Sequence, residues 1–253
     1  MNILGISGRK QSGKTTTANY ITGRVMKSLG LVKDFHLDTK NGGVLVINTS
    51  DANGQDGWGV FDIARKDSDF AEYAERELWP YVKPYSFADG LKNLCIEFFG
   101  LKPEQVYGTD KQKNTPTKVK WEDTPTWKNT SLNLNRGYMT AREFMQFFGT
   151  DIMRKMHEPV HVNHAINQIL AEKPRLAIIP DVRFPNEVKA IQDAGGKVLR
   201  MTRSHHEDSH DSECALDVGQ FDWGNFDFIL ENDAQETDLE AMLEQFYNIN
   251  LVR

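Results

Sequence analysis

The sequence Gly-Arg-Lys-Gln-Ser-Gly-Lys-Thr occupies residues 8–15. It matches every fixed position of the pattern that has a glycine, any four residues, Gly-Lys, and then Ser or Thr. The preceding residues 2–7, Asn-Ile-Leu-Gly-Ile-Ser, are mostly apolar and predict a buried parallel strand. In residues 16–30 apolar side chains recur at helical spacing, and Gly30 suits the end of a helix. Strand, turn and helix therefore follow in the order that a phosphate-binding loop requires.

Each part of this P-loop has a chemical role toward a chain of phosphates. The glycines let successive backbone N–H groups face an anion at the positive end of the helix dipole. Lys14 adds a positive charge for the β- and γ-phosphates, and the Thr15 hydroxyl suits Mg²⁺. A chance match in a glycine-rich turn is the alternative, and the flanking strand and helix argue against it. The predicted nucleotide-binding residues of the loop are Gly8, Gln11, Ser12, Gly13, Lys14, Thr15 and Thr16.

The composition describes a globular protein without a membrane span. The 253 residues suit one large α/β domain, and a net charge of −6 argues against a main role in binding nucleic acid. Cys95 and Cys214 have no metal-binding spacing, so each is expected to be a small buried hydrophobe. The sequence contains no apolar run of about 18 residues, and a strand that begins at residue 2 leaves no room for a signal peptide. We therefore expect a cytoplasmic protein.

Strands and helices alternate along the chain. Strands are expected at 2–7, 44–47, 60–63, 175–181, 197–203 and 226–230, and helices at 16–30, 68–78, 140–156, 160–171 and 185–195, with others ending before Gly100 and following Asp233. Residues 32–43 read as a polar turn, residues 102–135 as a loop-rich region, and the polar segment 204–224 as a mobile lid. The alternation predicts an α/β fold of the P-loop NTPase type, with a mainly parallel sheet flanked by helices on both faces.

Three polar positions end predicted strands, and ligands of such sheets bind at the carboxyl ends of the strands. They are Asp181, Arg203 and the pair Asn232-Asp233. Asp181 suits a carboxylate near Mg²⁺, with a helix N-cap as the alternative. Arg183 would form a two-pronged contact with an acceptor phosphate, although a lone arginine is more often a surface charge.

Histidines and acids are concentrated in the segment that follows Arg203. They are His205, His206, Asp208, His210 and Asp211. Adjacent histidines usually point apart, so a mobile polar loop is favoured over a zinc site. His210 and Glu213 are expected to contact a ligand when this loop closes.

Several blocks occur together in an order that resembles a known family. Beside the P-loop they are Phe-Ala-Asp-Gly-Leu-Lys (87–92), Arg-Glu-Phe-Met-Gln-Phe-Phe-Gly-Thr-Asp-Ile-Met-Arg (142–154), Ile-Pro-Asp-Val-Arg-Phe-Pro-Asn-Glu (179–187), His-Asp-Ser-Glu (210–213) and Glu-Asn-Asp (231–233). In this order the chain resembles the deoxynucleoside monophosphate kinases of tailed bacteriophages. The resemblance excludes approximately 34–80 and 108–137, which look like insertions in one kinase domain spanning 1–253.

The resemblance implies transfer of the ATP γ-phosphoryl group to a deoxynucleoside 5′-monophosphate, with Mg²⁺, in the cytoplasm of an infected cell. It implies roles for the predicted residues as follows: Lys14, Asp181, Arg183 and Arg203 in catalysis; Thr15 and Asp181 at the metal; Asn232 and Asp233 near adenine; and Phe87, Lys92, Gln146, Arg154, Arg183, His210 and Glu213 at the acceptor. Gly90 stands where the resemblance leads us to expect Pro, which leaves the backbone of the acceptor pocket less constrained.

Two other functions stay open at this level. One is a P-loop kinase for another small acceptor, such as dephospho-coenzyme A. The other is a nucleotide-dependent switch or motor component, although neither a guanine-reading motif nor a basic nucleic-acid surface is visible. The expected partners are small nucleotides, without nucleic acid or membrane. The accepted bases and the oligomeric state are not decided by the sequence, and a homodimer is one possibility.

Overall fold

The structure is a computed structural model. It describes residues 1–38, 43–50, 54–63, 65, 68–124, 136–203, 215–232 and 236–251. The chain divides into two compact units: unit 1 comprises Met1–Ser86 with Ile166–Arg253, and unit 2 comprises Phe87–Ala165.

The described chain contains ten strands and nine α-helices, numbered in chain order. The strands are β1 Asn2–Ser7, β2 Asp34–Asp38, β3 Val44–Ser50, β4 Asp56–Phe61, β5 Val82–Pro84, β6 Pro116–Lys120, β7 Tyr138–Thr140, β8 Leu176–Val182, β9 Lys197–Thr202 and β10 Phe228–Glu231. The helices are α1 Lys14–Ser28, α2 Ser68–Glu77, α3 Asp89–Glu97, α4 Pro103–Tyr107, α5 Asp110–Lys113, α6 Ala141–Gln146, α7 Val160–Glu172, α8 Pro185–Asp193 and α9 Glu236–Asn250.

A five-stranded sheet forms the centre of unit 1, in the order β10-β9-β1-β8-β5. Every neighbouring pair is parallel. At the carboxyl end of β1, Ser7 pairs with Val182 of β8 on one side and with Arg200 of β9 on the other. The carboxyl ends of these strands therefore meet at one edge, from which the P-loop leaves β1. The predicted α/β sheet is confirmed.

The two faces of this sheet are covered by different helices. Leu4 and Ile6 of β1 belong to a buried cluster that includes Ile21 of α1 and Leu243 of α9. On the opposite face a Cβ atom added to Gly5 would lie 2.6 Å from Ile191 Cδ1 of α8. Successive residues of β1 therefore point toward opposite helical layers, which confirms the prediction that helices flank both faces of the sheet.

The prediction of a polar turn at 32–43 is wrong for its first half, because Asp34–Asp38 forms β2. Phe35 and Leu37 alternate with polar residues, and both are buried in the same cluster as α1. Strands β2, β3 and β4 form an antiparallel sheet. The buried Asn19 of α1 binds the backbone on either side of the β3–β4 hairpin. Its Nδ2 donates to the Gly43 carbonyl just before β3 at 2.9 Å, and its Oδ1 accepts from the Ile63 N–H just after β4 at 2.8 Å.

Unit 2 has its own small core. Its buried members are Cys95, Leu101, Val106, Met139, Ala141 and Phe144. Burial raises the pKa of the Cys95 thiol to about 11, so the interpretation of this cysteine as a small hydrophobe is confirmed, whereas Cys214 lies outside the described residues. The region predicted as loop-rich contains two short helices and β6, which pairs with β7.

The helix predicted from residue 140 begins with a capping box: the Thr140 hydroxyl accepts from the Glu143 N–H, and the Glu143 carboxylate accepts from the Thr140 N–H at 2.8 Å. The helix that begins there does not stay α-helical, because Phe147–Arg154 continues it as a π-helix. Such segments are rare and are often found at functional sites.

Two histidines of α7 lie close to glycines of unit 2, one in the π-helix and one in the 87–92 segment. His161 Nε2 lies 3.1 Å from the Gly149 carbonyl of the π-helix, and Nε2 is the donor because a carbonyl only accepts. Burial lowers the pKa of His161, the charges of Arg154 and His164 lower it further, and the hydrogen bond to Gly149 opposes them. The His164 ring occupies the space beside Gly90, where an added Cβ would lie 2.5 Å from His164 Cδ2.

The buried Leu45 of β3 tests whether the antiparallel sheet shares the stability of unit 1. We expect Leu45→Ala to lower the free energy of unfolding by about 3 kcal/mol, because it leaves a cavity against α1. Urea unfolding measures this. The control Val60→Ala alters a residue that is 64% exposed on β4, and should change stability by less than about 0.5 kcal/mol. Equal effects of the two substitutions would contradict a shared core.

The lowered pKa of His161 makes stability depend on pH. The folded protein keeps the ring neutral below its ordinary pKa of 6.5, so the unfolded chain binds more protons there. The stability linked to neutral His161 is therefore fully present above about pH 6.5 and is lost as the pH falls through the lowered folded pKa. We expect urea unfolding between about pH 7.5 and 5 to show that the free energy of unfolding decreases less for His161→Gln than for the wild type as the pH is lowered. If the free energy of unfolding falls equally steeply with decreasing pH in the wild type and in His161→Gln, His161 is not the cause of the pH dependence.

Candidate active site

The P-loop runs from the end of β1 to the start of α1, and its shape depends on two glycines. Gly13 has a φ of 101°, a left-handed conformation that glycine adopts without strain, and an added Cβ would lie 2.7 Å from Asn232 Nδ2. A Cβ on Gly8 would lie 2.3 Å from Ser12 Oγ. The loop can fold tightly over the helix end because neither position carries a side chain, and a larger residue at either one would clash.

The functional groups of the loop are gathered at the N-terminus of α1. The Lys14 ammonium donates to the Gly8 carbonyl at 2.6 Å and to the Arg9 carbonyl at 2.8 Å. Thr15 is exposed in the first turn. Ser12 Oγ is buried, and within the described part of the chain it has no hydrogen-bond partner. A cation, hydroxyls and the N–H groups of a helix end thus surround one turn, an arrangement that suits an anion.

Two of the predicted strand-end residues contact this loop. Arg203, after β9, donates from Nη1 to the Gln11 carbonyl at 3.3 Å. Asn232, after β10, is buried and donates from Nδ2 to the Ser12 carbonyl at 2.9 Å. Because its amide nitrogen is occupied by the loop backbone, Asn232 acts on the shape of the loop. Asp233, which was predicted beside it, lies outside the described residues.

Asp181 lies near the end of β8, one residue before Val182, which pairs with Ser7. The alternative that Asp181 caps the following helix is wrong, because the N-cap of α8 is Phe184. Arg183 Nε donates to Asp181 Oδ1 at 2.8 Å, and both side chains are partly exposed. The structure thus pairs two residues that were predicted for separate roles.

Glu187 was not among the predicted site residues, although it fixes the backbone of Arg183. It is 3% exposed, and its carboxylate accepts from the N–H groups of Arg183 at 2.8 Å and Phe184 at 3.2 Å. Its place in the sequence was a usable signal, because a glutamate in the first turn after Pro185 is typical of a helix start.

Asp217 was also missed. Its carboxylate accepts from Arg9 Nη2 of the P-loop at 2.6 Å and from Arg200 Nη2 of β9 at 2.9 Å. Arg200, which was not among the predicted site residues, is buried and also donates to Ser7 Oγ at 3.0 Å. No spacing rule connects an acid to an arginine 208 residues earlier.

The oxygen donors Thr15 and Asp181 fit Mg²⁺. This ion prefers hard oxygen ligands, keeps several waters and often uses only one or two carboxylates of the protein. Across the part of the chain that the structure describes, no three His, Cys, Asp or Glu side chains are grouped to hold a metal ion.

Four of the predicted acceptor residues belong to unit 2, whereas Arg183 belongs to unit 1. Phe87 is buried just before α3, and the Lys92 ammonium lies 4.9 Å from the centre of the Tyr107 ring. Gln146 is exposed at the end of α6, and Arg154 is half-buried at the end of the π-helix. His210 and Glu213 lie outside the described residues, as does most of the predicted lid.

Comparisons with known proteins identify the family to which this chain belongs. A family model described as deoxynucleotide monophosphate kinase matches residues 2–243. A protein of Acanthamoeba polyphaga mimivirus, whose given name marks it provisionally as a deoxynucleotide monophosphate kinase, is 29% identical over 177 residues; the alignment covers 64% of this chain and 78% of the viral protein. Among the described residues, no helix is long and apolar enough to span a membrane. The chain belongs to the deoxynucleotide monophosphate kinase family.

Proposed function

We propose that this kinase transfers the γ-phosphoryl group of ATP to deoxynucleoside 5′-monophosphates and releases the diphosphates. The observation that supports ATP as donor is the P-loop, in which the Lys14 ammonium lies within 2.6 Å of the Gly8 carbonyl. Family membership supports the acceptor class. Phosphoryl transfer needs positioning and neutralisation of negative charge more than covalent chemistry, and the residues of unit 1 are of the kinds that supply both.

In this proposal the N–H groups of the P-loop bind the triphosphate and Lys14 exchanges its backbone contacts for phosphate oxygens. Thr15 and Asp181 would hold Mg²⁺, which when bound neutralises charge on the phosphate oxygens. Arg203 would stabilise charge on the transferred group, from the strand end where it already contacts Gln11. The adenine-contacting roles of Asn232 and Asp233 stay predictions.

We propose that the acceptor monophosphate is bound chiefly by guanidinium groups. Arg183 and Arg154 suit this role because a guanidinium matches a phosphate with two parallel hydrogen bonds. The remaining proposed acceptor contacts are Phe87, Lys92, Gln146, His210 and Glu213. Glu187 would assist Arg183 by holding its backbone, since the Arg183 N–H is 2.8 Å from its carboxylate.

The family assignment also bears on the two alternative functions that the sequence left open. Dephospho-coenzyme A as acceptor, or a switch or motor function, would conflict with the family assignment. We further propose action on small nucleotides in the cytoplasm, and in the host cytoplasm if the gene is carried by a phage.

A panel of acceptors tests the proposal directly. ATP and Mg²⁺ are supplied with each of the four deoxynucleoside monophosphates, the corresponding ribonucleotides and dephospho-coenzyme A, and products are separated by chromatography. We expect the diphosphate of at least one deoxynucleotide, with slow ATP hydrolysis when no acceptor is present. Turnover with dephospho-coenzyme A alone, or with none of the acceptors, would reject the proposed reaction.

Lys14→Ala tests the role of the P-loop cation. We expect kcat to fall by about 10²–10³, because one preorganised charge is lost from the transferring phosphates. The circular dichroism spectrum should be unchanged. Lys189→Ala is the matched control, since Lys189 is an exposed lysine paired with Asp193 on α8, and it should keep the wild-type rate. A Lys14→Ala enzyme as fast as this control would contradict the assignment.

A further inference from the structure

The Asp217 carboxylate is shared by two arginines from different parts of unit 1. Arg9 lies inside the P-loop, where its Nε donates to both carboxylate oxygens at 3.2 Å and its Nη2 donates to Oδ2 at 2.6 Å. Arg200 donates to Oδ1 from β9 at 2.9 Å. The carboxylate therefore joins the loop to the sheet through charge-assisted hydrogen bonds, which are stronger than neutral ones.

The two arginines differ in their freedom to move. The Arg200 side chain is 5% exposed, is bonded to Ser7 Oγ at 3.0 Å, and lies 5.3 Å from the centre of the Trp223 ring. The Arg9 side chain is 34% exposed. Without the carboxylate the two cations would repel each other, and only Arg9 has a path into water. Removal of the Asp217 carboxylate is therefore expected to displace Arg9, and with it the P-loop, and to leave Arg200 in place.

Arg9 is directly coupled to the catalytic lysine through its backbone, because its carbonyl accepts from Lys14 Nζ at 2.8 Å. The contacts of Gln11 with Arg203 and of Ser12 with Asn232 hold the second half of the loop. The Arg9–Asp217 pair thus anchors the first half. Preorganising a binding loop raises affinity, because less conformational freedom is lost when the ligand binds.

We propose that Asp217 is a positioning residue that sets the P-loop for ATP by anchoring Arg9 against the buried Arg200. This inference rests on the proposed function only in naming ATP as the ligand. It assigns a role in nucleotide binding to a residue that lies outside the P-loop and was not among the predicted site residues, although it falls within the segment 204–224 that was predicted as a lid. Its effect should appear in the affinity for ATP and spare the affinity for the acceptor.

The test compares Arg9→Ala, Asp217→Asn and the double variant. Titration calorimetry with MgATP gives Kd, and steady-state kinetics give KM for ATP and for the acceptor. Each single variant should weaken ATP binding about tenfold, and the double variant should also weaken it about tenfold, because both changes remove the same anchor. The KM of the acceptor should change less than twofold. Arg9→Lys, which keeps a cation, should recover part of the affinity.

The control is Asp193→Asn, which makes the same chemical change in the exposed Lys189–Asp193 pair of α8, 2.7 Å apart. It should leave the ATP affinity unchanged. Because Asp217→Asn leaves Arg200 buried beside a neutral amide, its melting temperature should fall, whereas Arg9→Ala keeps the Arg200–Asp217 pair and should stay close to wild type. Arg9→Ala therefore separates loop positioning from loss of the fold.

Two results would overturn the inference: an ATP Kd within twofold of wild type for Arg9→Ala, or independent effects that multiply to about a hundredfold in the double variant. These results are distinct from failure of the proposed function. An enzyme that binds MgATP but phosphorylates no deoxynucleotide would reject the reaction and leave the binding series as a complete test of Asp217.

Discussion

The parallel placement of β1 between β8 and β9 is the constraint on which the rest of unit 1 depends. It brings the carboxyl ends of three strands to the point where the glycine-lined loop emerges. Contacts from after β9 and β10 then reach the loop from outside, through Arg203, Asp217 and Asn232. The loop owes its tightness to its glycines, but its position is held by residues about 200 positions later in the chain.

The features that the sequence predicts well are those with local causes. An apolar run predicts β8, glycine spacing predicts the loop, and Thr140 with Glu143 predicts the start of α6. The features that escape prediction depend on distant partners. In β2 the apolar Phe35 and Leu37 alternate with polar residues, so the segment reads as a turn in the sequence and is recognised as a strand only from its pairing with β3. Asp217 has no local signature, and the π-helix shares the apolar spacing of an ordinary helix.

The pair formed by Arg9 and Asp217 depends on a buried charge, because Arg200, which shares the Asp217 carboxylate, is 4% exposed. The buried charge of Arg200 is stabilised by the hydrogen bonds that Ser7 and Asp217 accept from it. Such networks often cost stability compared with an apolar core and are more valuable for fixing a unique geometry. The buried Asn19 of α1 also fixes local geometry through hydrogen bonds, because its amide pairs with two backbone groups next to strands of the antiparallel sheet. Helix α1 and that sheet are consequently joined by hydrogen bonds.

The contact between Gly90 and His164 has a consequence for how these enzymes can diverge. The imidazole fills the room that a proline ring would need, since even a single carbon atom on residue 90 would lie 2.5 Å from it. A proline at 90 would therefore require the His164 ring to shift or a smaller side chain at 164, so the two positions should change together. Inserting a Phe87–Lys92 block that carries proline at position 90 would create a steric conflict with His164, which a compensating change in α7 would relieve.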